Sequence, residues 1–325
     1  MIVAIAASPS VDVLYVVPEL RLGRIHRPVA VHRVAGGKGF NAARTAHALG
    51  ADVVAAGIVG GATGEWIRQA LQHDGVPHAL VIGDGATRTS VSVEARDGSG
   101  LTEFYEPAAA VTPHEWLELE RVVGESLTRG GWLTLSGSLP PGAPLDAPGR
   151  LVRLAHDRGA SVAVDTYGPA LASALTAGPD LVKVNHHEAA AHLGDPDPAR
   201  GDHAHDDAVL AAAARAALHL LGSSPLAIVT CGLRGSVAAA SGSSAPMIAT
   251  LDATGRYPVG SGDAFLGGLV AALDHGRELP DALRQATAAG AANAALPGAG
   301  VLDPDRVRVL VGEVRLTDVD APVNP

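Results

Sequence analysis

The sequence predicts an α/β fold, with a doubly wound, mostly parallel sheet, helices on both of its faces and a small β-sheet lid. Short apolar runs alternate along most of the chain with longer stretches of helical period, and this order is typical of repeated βαβ units. Several runs are apolar at successive residues, as parallel strands are when both faces are covered. Two early segments instead alternate polar and apolar residues, which indicates half-exposed hairpins.

Strands and helices alternate through the first two thirds of the chain. The predicted strands of the main sheet are 2–6, 53–59, 132–136, 161–165, 181–184 and 226–230. The predicted helices between them are 41–49, 64–74, 113–127, 145–157, 186–193 and 206–221. An antiparallel pair, 237–240 and 246–251, and two last helices, 263–275 and 281–296, complete the main domain.

The two alternating segments, 11–34 and 88–105, are predicted to form the lid. The second contains the turn signal DGSG at 97–100, which favours a hairpin. Both interrupt helical regions, so we expect two insertions folded over one edge of the main domain. Residues 1–316 are therefore predicted to be a single domain, with a polar loop at 195–207 and a frayed tail at 317–325.

Composition and charge exclude several classes of protein. No apolar run reaches the ~18 residues of a membrane-spanning helix, and the first residues lack the basic segment of a signal peptide, so we expect a cytoplasmic protein. The single cysteine, Cys231, excludes an internal disulfide and a cysteine-cluster metal site. The net charge of −10 disfavours nucleic acid as a partner. Anionic small molecules remain compatible with it if positive charges are gathered in a cleft.

Lysine is almost absent from the sequence. Of the 24 basic residues only Lys38 and Lys183 are lysines, and the others are arginines. A bias in base composition explains the preference for arginine without any effect on the fold. The two lysines are therefore candidates for positions where a planar guanidinium cannot replace a compact ammonium group.

The stretch AGGKGFN, residues 35–41, lies directly before the first predicted helix. Its glycines allow a ligand to approach the backbone closely, and the helix start adds positive potential to the charge of Lys38. A tight turn between lid and helix also explains the glycines. Lys38 and Asn41 favour the ligand contact over the plain turn.

The stretch PVGSGDAF, residues 258–265, leads into a helix rich in small residues. Gly260, Ser261 and Gly262 can direct successive backbone N–H groups at one anion. Asp263 is then either a carboxylate that stabilises the helix start or a base that takes a proton from a hydroxyl beside the anion.

The stretch KVNHHE, residues 183–188, lies where a strand ends and a helix begins. Asn185 and Glu188 are three residues apart and share one helical face. They form either a capping box or a pair that organises water around Mg²⁺ at the carboxyl ends of the strands. The residues alone do not decide between these two interpretations.

Several other motifs are excluded. There is no GxxxxGK[ST] and no GxGxxG after the first strand, so neither a P-loop nor a Rossmann dinucleotide site is predicted. The histidines of HEAAAH, residues 187–192, are five apart, which turns them about 140° from one another on a helix. This spacing does not form a zincin site, and we expect the polar stretch 202–207 to be solvated.

Together these residues resemble the ribokinase-like carbohydrate kinases of the phosphofructokinase-B type, in the branch that contains 1-phosphofructokinases and tagatose-6-phosphate kinases. GGKGFNAARTAHALG is similar to the amino-terminal signature of that family, and YPVGSGDAFLGGLVAAL is similar to the carboxyl-terminal one. Further similarities, such as SGSLPPG at 136–142 and VDT at 164–166, extend along nearly the whole chain.

The resemblance implies a role for each candidate residue. It makes Asp263 the catalytic base and Gly260, Ser261 and Gly262 the anion hole. The implied substrate ligands are Asp12, Gly37 and Asn41 for the sugar, and Lys38 and Arg88 for its phosphate. The implied nucleotide ligands are Lys183, Asn185, Thr230, Gly232 and Gly235, with Asn293 in the adenine pocket. Glu188 and Asn185 would hold Mg²⁺ through water.

The implied activity is an ATP- and Mg²⁺-dependent kinase of a ketohexose monophosphate, foremost fructose 1-phosphate, which becomes fructose 1,6-bisphosphate. Lys38 favours a phosphorylated sugar, because a neutral sugar or nucleoside needs no cation. Tagatose 6-phosphate and fructose 6-phosphate are alternative substrates, and a kinase of an unphosphorylated sugar or nucleoside is a weaker alternative. A non-catalytic sugar-phosphate sensor is a remote one, and the intact GSGD at 260–263 argues against it. The resemblance also implies a homodimer joined through the lid.

Overall fold

The computed structural model describes residues 1–98, 100–195 and 206–318. In these residues the strands are β1 (Ile2–Ala6), β2 (Ser10–Val17), β3 (Ala30–Gly36), β4 (Val53–Val59), β5 (His78–Ile82), β6 (Arg88–Ala95), β7 (Gly100–Tyr105), β8 (Trp132–Ser136), β9 (Ser161–Asp165), β10 (Leu181–Asn185), β11 (Leu226–Thr230), β12 (Ser236–Ala240), β13 (Met247–Thr250) and β14 (Arg315–Asp318). The helices are α1 (Lys38–Ala48), α2 (Gly61–His73), α3 (Pro113–Ser126), α4 (Ala147–Asp157), α5 (Gly168–Thr176), α6 (His186–Leu193), α7 (Asp206–Leu220), α8 (Ser261–Asp274), α9 (Leu279–Ala294) and α10 (Pro304–Val311).

The larger sheet has the strand order β14-β13-β12-β11-β10-β9-β8-β1-β4-β5. From β11 to β5 along that order all pairings are parallel, while β12, β13 and β14 add an antiparallel edge. Along β1, Ile2 and Ala4 enter the hydrophobic core on one face, and Val3 and Ile5 enter the core on the other. The predicted α/β fold with helices on both faces is confirmed.

The smaller sheet is the lid and has the order β3-β2-β6-β7 in the described residues. β2 with β3 and β6 with β7 form the two predicted antiparallel hairpins. The hairpins join through a parallel pairing of β2 with β6, in which Asp12 lies opposite Ser90. The lid is therefore a separate, mixed sheet.

The starts of α1, α2, α4, α8 and α9 differ from the prediction by two or three residues, and two of these starts lie in the glycine-rich motifs. α1 begins at Lys38, three residues earlier than expected, after Gly37 with a φ of 97°. α8 begins at Ser261 instead of 263, after Gly260 with a φ of 82°. In both cases a left-handed glycine is the last residue before the helix, so the polar motif residues that follow belong to the first helical turn.

The chain contains elements that the sequence pattern did not predict: β5, α5, α10 and β14. Thr317 and Asp318, the first residues of the expected frayed tail, instead pair with Ile248 and Met247 of β13. The rest of that tail, Ser99 of the predicted turn and most of the predicted polar loop lie outside the described residues. None of the described helices is both long and apolar enough to cross a membrane.

Close helix packing brings two of the sequence motifs together. A Cβ atom on Gly39 would lie 2.1 Å from the carbonyl oxygen of Ile5, so α1 lies directly against β1. A Cβ atom on Gly267 would lie 2.4 Å from the carbonyl oxygen of Ala42, so α8 lies directly against α1. The first turns of α1 and α8 consequently meet at the carboxyl end of β1.

Candidate active site

A cavity of about 880 Å³ separates the lid from the carboxyl ends of the parallel strands. This is the place where ligands bind in open α/β sheets. The lining residues that the sequence analysis had selected are Asp12, Gly37, Lys38, Asn41, Arg88, Lys183, Asn185, Thr230, Gly232, Gly235, Gly260, Ser261, Gly262 and Asp263. Residues from distant parts of the chain thus converge on one cavity.

Asp263 is buried in the first turn of α8. Its Oδ2 accepts a hydrogen bond of 2.9 Å from Asn41 Nδ2 of α1. Burial raises the pKa of Asp263 to about 6, with a further increase from the charge of Asp165, while the charges of Lys38 and Lys183 oppose the rise. The carboxylate is therefore ionised at neutral pH and is a stronger base than an exposed aspartate.

A tight turn precedes Asp263. The Ser261 N–H donates to the Pro258 carbonyl at 3.1 Å, and Gly260 has φ 82° and ψ −3°, the geometry of the third residue of a type II turn. The prediction that the N–H of Ser261 points at an anion is wrong, because the turn uses it. The open N–H groups at a helix start belong to the first turn, which here includes Gly262 and Asp263.

Both lysines of the chain bind one carboxylate. Asp165 is completely buried at the end of β9. Its Oδ2 lies 2.7 Å from Lys183 Nζ, and its Oδ1 lies 3.4 Å from Lys38 Nζ. Although burial disfavours its charge, the two lysines hold the pKa of Asp165 below its ordinary value. The sequence analysis noted Asp165 only as part of the VDT similarity at 164–166 and assigned it no role.

Asn185 and Glu188 form the capping box at the start of α6. The Asn185 side chain accepts from the Glu188 N–H at 2.8 Å, and Glu188 Oε2 accepts from the Asn185 N–H at 2.9 Å. The second oxygen of Glu188, Oε1, lies 3.2 Å from Lys38 Nζ. One carboxylate therefore both caps the helix and contacts the cavity lysine, and the two interpretations of this motif are compatible.

Asp12 and Arg88 lie on adjacent lid strands. Burial raises the pKa of Asp12, and Ser10 Oγ donates to its Oδ1 at 2.5 Å. Arg88 donates to the carbonyl oxygens of Glu106 at 3.2 Å and Ser8 at 3.4 Å. Its buried Nε has no hydrogen-bond partner among the described residues. Arg88 therefore adds a cation to the lid wall of the cavity.

Asn293, which the resemblance assigns to the adenine pocket, lies behind the cavity wall and does not line the cavity. Its side chain is fully buried and accepts from the Gly300 N–H at 3.0 Å. Its Nδ2 donates toward the carbonyl oxygens of Val259 and Gly298, both at 3.4 Å. The Asn293 amide thus links the backbone at Val259 to the backbone at Gly298 and Gly300. In this part of the cavity the wall consists of small residues of α9: Thr287, Gly290, Ala291 and Ala294.

The sequence matches the pfkB family carbohydrate kinases over residues 1–306. It is 30% identical over 315 residues to a 1-phosphofructokinase of Rhodobacter capsulatus, covering 96% of each chain. It is 33% identical over 319 residues to a 1-phosphofructokinase of Haloferax volcanii, covering 97% of each chain. The crystal structure of phosphofructokinase-2 from Escherichia coli in complex with fructose-6-phosphate has a TM-score of 0.82 at 28% identity, covering 96% of this chain and 98% of that chain.

The comparisons agree with the site geometry. A kinase of this kind takes ATP as a substrate, and the cavity presents a base, a helix start and two lysines side by side. We conclude that the chain belongs to the pfkB family of carbohydrate kinases.

Proposed function

We propose that the protein transfers the γ-phosphoryl group of ATP to a ketohexose monophosphate, foremost fructose 1-phosphate at its 6-hydroxyl. The observation that carries this choice is Arg88, a lid cation in the same cavity as Asp263 whose Nε has no partner among the described residues. A charged donor above the sugar suits a substrate with a phosphate of its own. Two relatives named 1-phosphofructokinase support the same choice.

Asp263 acts as the general base. It accepts the proton of the sugar hydroxyl while the hydroxyl oxygen bonds to the γ-phosphorus and the bond between that phosphorus and the β-γ bridging oxygen breaks. The N–H groups and dipole at the start of α8 stabilise the charge on the transferred group. Lys183 lies beside this helix start, since a Cβ on Gly262 would lie 3.1 Å from its Nζ. The products are ADP and the hexose bisphosphate.

Magnesium suits a part of this cavity. Among the described residues no group of three or more His, Cys, Asp or Glu side chains could hold a metal ion. The carboxylate of Glu188 and the amide of Asn185 are nevertheless oxygen ligands of the kind that Mg²⁺ prefers, and this ion commonly keeps several waters and binds through phosphates. We propose that both residues contact it through water. The ion would neutralise charge on the ATP phosphates.

We propose that the adenine base packs against α9. Gly290, Ala291 and Ala294 line the cavity there, and their small side chains leave room for a flat ring. Thr230, Gly232 and Gly235 line the neighbouring wall after β11, where they would approach the phosphates.

The lid is also the proposed dimer interface. β3 and β7 are the edges of its sheet in the described residues. Val29, Val31 and Phe104 lie on or next to these edges, are exposed and do not line the cavity. Exposed apolar side chains on edge strands favour association with another surface, and a second copy of the chain would cover them.

Sedimentation equilibrium at micromolar concentration tests the dimer. We expect the wild-type protein to have twice the mass of one chain and Phe104→Glu to shift it toward the monomer, because a charge would be buried in the interface. Leu117→Glu is the matched control, as Leu117 is equally exposed on α3 and outside the lid. A wild-type protein that remains monomeric would exclude the proposed interface.

A panel of coupled ADP-release assays over fructose 1-phosphate, fructose 6-phosphate, tagatose 6-phosphate and unphosphorylated fructose tests the substrate. We expect the highest kcat/KM with fructose 1-phosphate. Arg88→Ala should raise the KM for the sugar phosphate by roughly 10- to 100-fold, as expected when a charged hydrogen bond is lost, and leave the KM for ATP unchanged. Arg96→Ala, on the exposed lid turn, is the control.

Other results of the panel would reject the proposal. Equal activity with unphosphorylated fructose would remove the substrate class, and no turnover with any sugar would favour the sensor. An increase in the KM for ATP in the Arg88 variant would show that ATP, and not the sugar phosphate, binds beside Arg88.

The pH profile reports on Asp263. Because the base must be ionised and its pKa is about 6, kcat/KM should fall as the pH drops below about 6. Asn41→Ala removes a hydrogen bond to the ionised carboxylate, so the acid limb should move upward by about one to two pH units, the equivalent of a charged hydrogen bond.

Thr45→Ala is the control for the Asn41 variant. Thr45 lies one turn further along α1, and its Oγ1 donates to the Gly300 carbonyl at 3.3 Å instead of to Asp263. The control should keep the wild-type acid limb. If the acid limb does not move in Asn41→Ala, the group that titrates in the pH profile is not Asp263.

A further inference from the structure

We infer that Lys38 is a catalytic cation of the phosphoryl-transfer centre and does not bind the phosphate that the sugar already carries. This inference rests on the proposed kinase function, and it reverses the role that the resemblance implied for this lysine. It depends on where the ammonium group lies, on which groups hold it there and on what its free donor can reach.

Lys38 and Lys183 lie side by side. Lys183 Nζ binds one oxygen of Asp165 at 2.7 Å and Lys38 Nζ binds the other at 3.4 Å. Lys183 Nζ is also next to Gly262, in the first turn of α8. The shared carboxylate therefore places Lys38 close to the helix start that receives the transferred phosphoryl group.

The charge of Lys38 acts on Asp263 as well. Among the causes that shift the pKa of Asp263, the charge of Lys38 comes directly after burial, and it lowers that pKa. Arg88 instead lies on β6, which pairs with the strand of Asp12, and its charge lowers the pKa of Asp12. The cavity thus has two cationic regions, with Lys38 beside the base and Arg88 beside the lid carboxylate.

The two ends of a hexose phosphate suit these two regions of the cavity. Its acceptor hydroxyl has to touch Asp263, and its phosphate is on the carbon at the other end of the sugar. That phosphate therefore lies away from the base and on the side of Arg88. Lys38, beside the base, faces the phosphoryl group in transfer.

The helix itself gives no reason for a lysine at this position. Lys38 is the first residue of α1, where the helix dipole disfavours a cation. Two carboxylates, Asp165 and Glu188, lie within ion-pair distance of its Nζ, at 3.4 Å and 3.2 Å, and offset this unfavourable position.

An ammonium group has three N–H donors, and the contacts to Asp165 and Glu188 use two of them. The third can donate to an equatorial oxygen of the phosphoryl group, where negative charge is spread in the transition state. A planar guanidinium does not have this tetrahedral arrangement of donors. This explains a lysine at 38 in a chain that otherwise uses arginine at every basic position but 183.

The test separates binding from turnover in Lys38→Met. The acceptor is whichever sugar the wild-type enzyme phosphorylates fastest. Calorimetry without nucleotide gives the Kd of the binary sugar complex, and steady-state assays give kcat. We expect kcat to fall by roughly 10²–10³-fold, the usual cost of one transition-state donor, with the binary Kd within about twofold of wild type. Arg88→Ala should instead weaken the binary sugar complex and leave kcat close to that of the wild type.

A binary Kd weakened tenfold or more, with kcat within threefold of wild type, would overturn the inference and return Lys38 to the sugar's phosphate. If Lys38→Met does not fold, as judged by circular dichroism, Lys38→Gln is measured by the same criteria, since its amide can still bond to both carboxylates. A wild-type enzyme that prefers an unphosphorylated sugar would reject the proposed substrate, while a kcat loss in Lys38→Met would still support the role of Lys38.

Discussion

The buried carboxylate of Asp165 is the constraint on which the rest of the site depends. A fully buried aspartate is tolerated only if positive groups compensate its charge, and this one takes both lysines of the chain. Lys38 comes from α1 and Lys183 from β10. One carboxylate therefore holds together two cations that belong to segments about 145 residues apart in sequence. These gathered cations allow a chain with a net charge of −10 to bind phosphates in its cavity.

Packing of small residues completes this arrangement. Gly39 lets α1 lie against the backbone of β1, and Gly267 lets α8 lie against α1. These two glycines let the helices approach the neighbouring backbone directly, and this close packing brings Asn41 within hydrogen-bond distance of Asp263. The lid then covers the result, and exclusion of water strengthens each charge interaction in the cavity. The position of Asp263 beside Asn41 thus depends on close backbone packing of β1, α1 and α8.

The sequence could predict the parts that depend on local pattern. The predicted bounds of β1 and β4 agree with the observed ones, because these strands are covered on both faces and contain no polar side chain. β5 was missed because it is a half-exposed edge strand, and α5 because it is a short run of small residues. Asp165, the ion pair of Lys38 and the buried amide of Asn293 depend on contacts between distant segments. The spacing of residues along the chain does not reveal such contacts. The motifs therefore predicted which residues line the cavity, but not how the charges inside it are paired.

The most direct measurement of the account is the turnover of Asp263→Asn with ATP and the preferred sugar, compared with the binding of each substrate. The account predicts that kcat falls by roughly 10²–10⁴-fold, as expected for loss of a general base, while both substrates bind as in the wild type. Asp281→Asn, an exposed first-turn aspartate of α9, should change neither. Near wild-type turnover in Asp263→Asn would contradict the account, because the cavity would then transfer a phosphoryl group without the carboxylate around which it is built.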